Sequence, residues 1–150
     1  MKGNIALLIV DLQAGFNPTK KLIQGILKKA REYPIVVATR FAKGNSLYKK
    51  VLGHSDFKKK DFALAGLPKR AKVFKKTGYG LPRALLKYLK KHSITRVDVC
   101  GLQTDACVLA AMYDLWDSEI QPKLLRNLSA TVSSKMKNAA LVIVRRNFKS

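Results

Sequence analysis

The chain has 150 residues, room for one ordinary domain with a packed core, and its hydrophobic fraction of 47% keeps it well away from the disordered class. Lysine and arginine number 30 against 9 aspartates and glutamates, a formal net charge of +21, so attraction to polyanions has to be weighed. No apolar run approaches the roughly 18 to 20 residues that span a bilayer, which argues against membrane insertion. The opening "MKGNIALLIVDLQ" runs into Asp11 and Gln13 without a small-residue cleavage site, and the expectation is a mature cytoplasmic chain forming a single domain over residues 1–150.

In chain order, "IALLIV" (Ile5 to Val10) is a continuous apolar run, the pattern of a strand buried on both faces. From about Thr19 to Glu32, Leu22, Ile23, Ile26, Leu27 and Ala30 recur at helical spacing with lysines opposite, and Pro34 ends the segment. "IVVAT" (Ile35 to Thr39) is a second buried strand and Ala71 to Lys75 a weaker third. The thirty residues between them, 41–70, are long for a connection and therefore a candidate functional segment. Pro82 to His92 carries a stripe of Leu81, Leu85, Leu86 and Leu89, with the proline in the first turn. Arg96 to Gly101 reads as strand four and Asp105 to Asp117 as a helix with Val108, Met112, Leu115 and Trp116 inward. Gln121 to Leu125 is a fifth strand. Ser133 to Arg146 reads as a helix with Met136, Ala140, Ile143 and Val144 apolar, although "LVIV" could equally be a sixth strand.

Alternating buried strands and helices imply an α/β fold: three layers, with a doubly wound, mostly parallel, Rossmann-like sheet. In such sheets ligands sit at the carboxyl ends of the strands. That rule selects Asp11, Thr39 and Arg40, Lys75 and Lys76, and the turn from Gly101 to Cys107.

A carboxylate, an amine from Lys75 or Lys76, and the Cys107 thiol thus fall on one edge. With Thr104 as N-cap, Asp105, Ala106 and Cys107 would be the first helical positions, where backbone N–H groups and the helix dipole favour a thiolate. Asp105 works against this, because a nearby carboxylate raises a thiol pKa unless it points away. Position alone leaves Cys107 either core filling or a nucleophile, while Cys100, inside a strand, reads as buried and inert. The two cysteines suggest neither a metal pair nor a disulfide framework.

"LLIVDLQAGF", a K-x-x-Y segment and "GLQTDACVLAAMYDLWD" together resemble the isochorismatase-like cysteine hydrolase superfamily, in the family's order and from about Ile5 to Asp117. The resemblance implies a catalytic triad of Asp11, Lys76 and Cys107, with Lys76 chosen because "KTGY" keeps the family spacing to Tyr79. It also implies a cis peptide between Leu102 and Gln103, and an oxyanion hole from the backbone N–H groups of Gln103 and Cys107. Gln13, Phe16, Phe41 and Tyr79 are candidates for the substrate-pocket wall. Nicotinamidases of this family hold a divalent metal through an Asp-x-His unit after strand two and a further histidine. Here that region reads "ATRFAKGNSLYKKVLGH", and His54 alone cannot replace the set. The expectation is therefore no metal and no cofactor, and hydrolysis of a small amide or related C–N substrate through a cysteine thioester. Segment 41–70 would supply a lid or a partner-subunit contact in a homo-oligomer. The rival reading is a non-catalytic or moonlighting family member whose basic surface binds nucleic acid or other polyanions. The lysines are spread along the chain without a recognisable nucleic-acid motif, which favours a solvated surface.

Overall fold

The computed structural model describes residues 4–42, 46–52 and 58–150, and of Ser46 and Lys49 the backbone alone. Five strands form one sheet: β1 (Asn4–Val10), β2 (Ile35–Phe41), β3 (Lys72–Lys76), β4 (Ile94–Leu102) and β5 (Gln121–Ala130). Their order is β3-β2-β1-β4-β5 and every pairing is parallel. Strand order reverses on either side of β1, so the carboxyl ends of β1, β2 and β4 meet at the crevice where such sheets take their ligands.

The apolar run of β1 sorts by alternation onto two cores. Leu7 and Ile9 face α1 (Lys20–Ala30), packing with Leu22, Ile26 and Ala30. Ala6, Leu8 and Val10 face the opposite layer. That layer holds α3 (Arg83–Lys91), α4 (Leu109–Asp117) and α5 (Ser134–Phe148), which contribute Leu85 and Leu89, Met112 and Leu115, and Val144 and Phe148. Removing a fully buried leucine such as Leu8 from water contributes roughly 1.5–3 kcal/mol. Helix α1 begins where Thr19 accepts a hydrogen bond from the Leu22 N–H, and α5 where Ser133 does the same for Met136. A short helix, α2 (Ser46–Lys50), lies in the long connection after β2, followed by a 3-10 turn at Lys59–Phe62. Among the described residues no helix is long and apolar enough to cross a membrane.

Some expectations change. "LVIV" belongs to α5 rather than a sixth strand, and the buried face of that helix is Ala140, Val144 and Phe148. Met136 and Ile143 are exposed. Trp116 is also exposed, its ring edge-on to Phe148 at 5.7 Å, because Ala111, Met112 and Leu115 already fill the inward side of α4. Strand β4 begins two residues earlier than its apolar pattern suggests, and β5 runs on to Ala130.

Candidate active site

Asp11 follows the last residue of β1 and adopts a left-handed backbone with φ of 45°, a conformation aspartate tolerates better than most residues. The turn folds its fully buried carboxylate back over the sheet edge. Oδ1 accepts a hydrogen bond from the Thr39 hydroxyl at 2.7 Å, and that same hydroxyl accepts the Asp11 N–H at 3.1 Å. Oδ2 lies 2.9 Å from Lys76 Nζ in an ion pair from which solvent is almost wholly excluded. Alternation along β3 decides which lysine arrives: Lys76 is buried toward Asp11 and Lys75 is exposed.

Lys76 is held from a second side. Its Nζ donates to the Tyr79 carbonyl at 2.9 Å. The chain just beyond is tied to α4, where Asp114 Oδ2 accepts the Leu81 N–H at 2.5 Å. A side chain at Gly80 would meet that carboxylate and push Asp114 from its place.

Gly101, with φ of 113°, lets β4 approach β1 so closely that a Cβ there would strike the Val10 backbone. The chain leaves β4 through a cis peptide between Leu102 and Gln103. The helix that follows differs from the expected form. Gln103, not Thr104, is the capping residue, and its carbonyl accepts both the Ala106 N–H at 3.0 Å and the Val108 N–H at 3.1 Å. The second bond spans five residues, so Thr104–Val108 makes one wide turn before α4, with Cys107 its fourth residue rather than its third. The Thr104 hydroxyl is buried and caps nothing.

The turn brings the Cys107 thiol close enough to the Asp11–Lys76 pair for both side chains to act on its ionisation. Its pKa is pushed up to about 11, first by burial and then by the Asp11 charge, with Lys76 opposing. This runs against the expectation of a stabilised thiolate: in the resting site removal from water and the Asp11 charge outweigh the lysine. Asp105 points away, its carboxylate accepting a hydrogen bond from the Thr131 hydroxyl, and the charges acting on the thiol are those of Asp11 and Lys76.

Aromatic side chains from the segments that end or follow β1, β2 and β3 meet in series. Phe16 and Phe41 meet edge-on at 6.4 Å, Phe41 and Tyr48 at 5.4 Å, and Tyr48 and Tyr79 at 5.2 Å. Gln13 plays a different part from a pocket wall. Fully buried, it donates to the Phe41 and Phe62 carbonyls at 2.9 and 3.2 Å and accepts the Phe41 N–H at 2.7 Å. It braces the long connection against the sheet edge. Thr39, Tyr48 and Asp114 are the site residues to which sequence reasoning assigned no role. Only Thr39 carried a signal, its place at the end of β2.

A metal would need a cluster of ligands. Among the described residues no three His, Cys, Asp or Glu side chains come together to hold one; His54 lies outside those residues. The strand end nearest Asp11 offers Thr39, Arg40 and Phe41, and the described residues there supply no donor set for a divalent ion.

A family model for the isochorismatase domain matches residues 5–149. The chain belongs to the isochorismatase family. This family includes hydrolases acting on carbon–nitrogen bonds other than peptide bonds. Solved structures of similar fold include a Pyrococcus horikoshii pyrazinamidase in complex with zinc, 22% identical, with a TM-score of 0.83 over 97% of this chain and 96% of that one. A Bacillus subtilis nicotinamidase is 16% identical, with a TM-score of 0.82 over 98% and 97%. An isochorismatase-like hydrolase from Alkaliphilus metalliredigens is 17% identical, with a TM-score of 0.82 over 96% and 92%. No curated protein sequence matches the chain significantly. At these identities the solved structures speak for the isochorismatase fold, and the chemistry rests on this chain's own residues.

Proposed function

We propose that the chain is a metal-independent cysteine hydrolase of a small amide, working through a thioester on Cys107. The observation that carries the reading is the buried Asp11–Lys76 ion pair meeting the one thiol at the carboxyl edge of the sheet. Because burial keeps that thiol protonated at rest, the nucleophile is made only as it is used. As Sγ attacks the carbonyl carbon, Asp11 Oδ2 takes the thiol proton, and the carbonyl electron pair moves onto oxygen. The backbone N–H groups of Gln103 and Cys107 receive that oxyanion. Lys76 offsets the negative charge that passes between sulfur and carboxylate.

Collapse of the adduct breaks the C–N bond, with the Asp11 proton going to the departing nitrogen. Water then gives a proton to Asp11 and attacks the thioester. The second collapse releases the acid and returns the proton to sulfur. Thr39 holds the carboxylate so that Oδ2 faces the thiol, and the Tyr79 carbonyl holds the ammonium. The aromatic approach suits a small substrate with an apolar face. Ammonia release from an amide panel, with the native chain and with Cys107→Ala, tests the reading, and equal activity in both would sink it.

A second reading has one observation in its favour. At the β3 edge, Lys72, Lys87 and Lys91 surround Phe74, Tyr88 and His92 in an open groove, with Lys72 Nζ 4.5 Å from the Tyr88 ring centroid. Lysines among aromatic faces suit a single-stranded polyanion. Replacing all three lysines with glutamine should then abolish salt-dependent retention on single-stranded DNA; unchanged retention assigns it to diffuse surface charge.

A further inference from the structure

Tyr48 is a hydroxyl without an occupation. It stands on α2, in the connection after β2, between the rings of Phe41 and Tyr79. Its oxygen is shut off from solvent and has no hydrogen-bond partner among the described residues. Buried polar groups in folded proteins are nearly always paired, and the exceptions call for an explanation. The surroundings supply one. The hydroxyl lies near enough to Cys107, Tyr79 and Asp11 for each, once ionised, to hold its proton on.

We propose that the Tyr48 hydroxyl is a substrate-binding group, donating a hydrogen bond to an acceptor atom that the acyl part of the substrate carries next to its scissile carbonyl. The inference rests on Cys107 as the nucleophile and adds a requirement on the substrate. Tyr48 acts as a donor, because burial and the neighbouring negative charges push its pKa up to about 12, so it stays protonated through the neutral range. It addresses the acyl side because Asp11 must meet the departing nitrogen with its proton, which leaves the aromatic wall where Tyr48 stands between Phe41 and Tyr79 to the acyl group. The ring packs edge-on to Phe41 and tilted against Tyr79, so the hydroxyl is a polar point on a largely aromatic wall. An acyl group lacking an acceptor leaves that donor buried and unpaired, and sites of this kind reject such analogues.

The test uses two alkylating reagents of the same shape. Iodoacetamide places a carbonyl oxygen next to the carbon that sulfur attacks; 3-iodo-2-methylpropene places a methylene there and accepts no hydrogen bond. In both cases the C–S bond forms, iodide leaves and the thiol proton is lost. Rates at Cys107 are read by peptide mass spectrometry, with Cys100 followed in the same digest. Tyr48→Phe should slow iodoacetamide by roughly fivefold to tenfold and change the hydrocarbon reagent by less than about twofold. Equal slowing of both reagents would assign the hydroxyl to the thiol, and no slowing of either would leave it a packing residue; both overturn the proposal. Failure of the nucleophile reading shows separately, as amide hydrolysis that survives complete alkylation of Cys107.

Discussion

Cys100 and Cys107 lie seven residues apart, both buried, and burial raises the pKa of both thiols. Burial and acidity therefore do not separate a structural cysteine from a reactive one. Neighbours do. Cys100 sits within β4 in the core facing α1, its thiol donating to the Leu8 carbonyl at 3.5 Å, with Asp98 the one charge among the described residues that shifts it. Cys107 sits one turn beyond the same strand and faces a carboxylate that can take its proton and an ammonium that can balance the result.

The largest expected effect breaks the comparison directly. Cys107→Ala should lower amide turnover by ~10³-fold or more, whereas Cys100→Ala should leave turnover within about twofold and cost about 1–2 kcal/mol of stability from lost packing. Comparable turnover losses in the two variants would erase the distinction.

Next comes the ion pair that only Cys107 possesses. Lys76→Met strands the buried Asp11 carboxylate, and urea unfolding should show a loss of about 3–5 kcal/mol. A loss below about 1 kcal/mol would mean that water reaches the pair.

The smallest effect sharpens the comparison through pH. An unfolded cysteine ionises near 8.5, while the folded Cys107 holds its proton to about 11. Between these values the folded state binds more protons than the unfolded one, so stability present below about pH 8.5 is lost as pH rises toward 11. Denaturant titrations should show a decline across that window to which Cys107 alone contributes roughly 2–3 kcal/mol. Part of it should vanish in Cys107→Ala and part in Cys100→Ala, since both thiols are raised. An unchanged decline in both variants would place its origin elsewhere.

The sheet was legible in the sequence because strands buried on both faces leave unbroken apolar runs, as β1 does at Ile5 to Val10. Asp11 and Cys107 were legible as strand-end residues, since topology alone fixes which edge they share. Lys76 was separable from Lys75 by its spacing to Tyr79, and the alternation of β3 gives the physical reason. What escaped depends on contacts between distant segments. Asp105 looked hostile to a thiolate because Thr131, whose hydroxyl donates to its carboxylate, lies 26 residues away. Tyr48 gave no signal, because nothing in "SLYKK" foretells that its ring packs between Phe41 and Tyr79. Gln13 looked like a pocket residue until its partners, the backbones of Phe41 and Phe62, were in place. The pKa expectation failed for a related reason: a helix N-terminus is visible in sequence, whereas the depth of desolvation is not.

The Asp11–Lys76 pair has one more consequence. With the thiol protonated, the three reacting groups sum to zero charge, although the molecule around them carries +21. Near and far fields are therefore decoupled. The surface lysines govern which molecules diffuse toward the crevice and how ionic strength alters that traffic. The chemistry inside is set by three side chains whose local potential is close to neutral, so the surface can change its charge without retuning the step at sulfur.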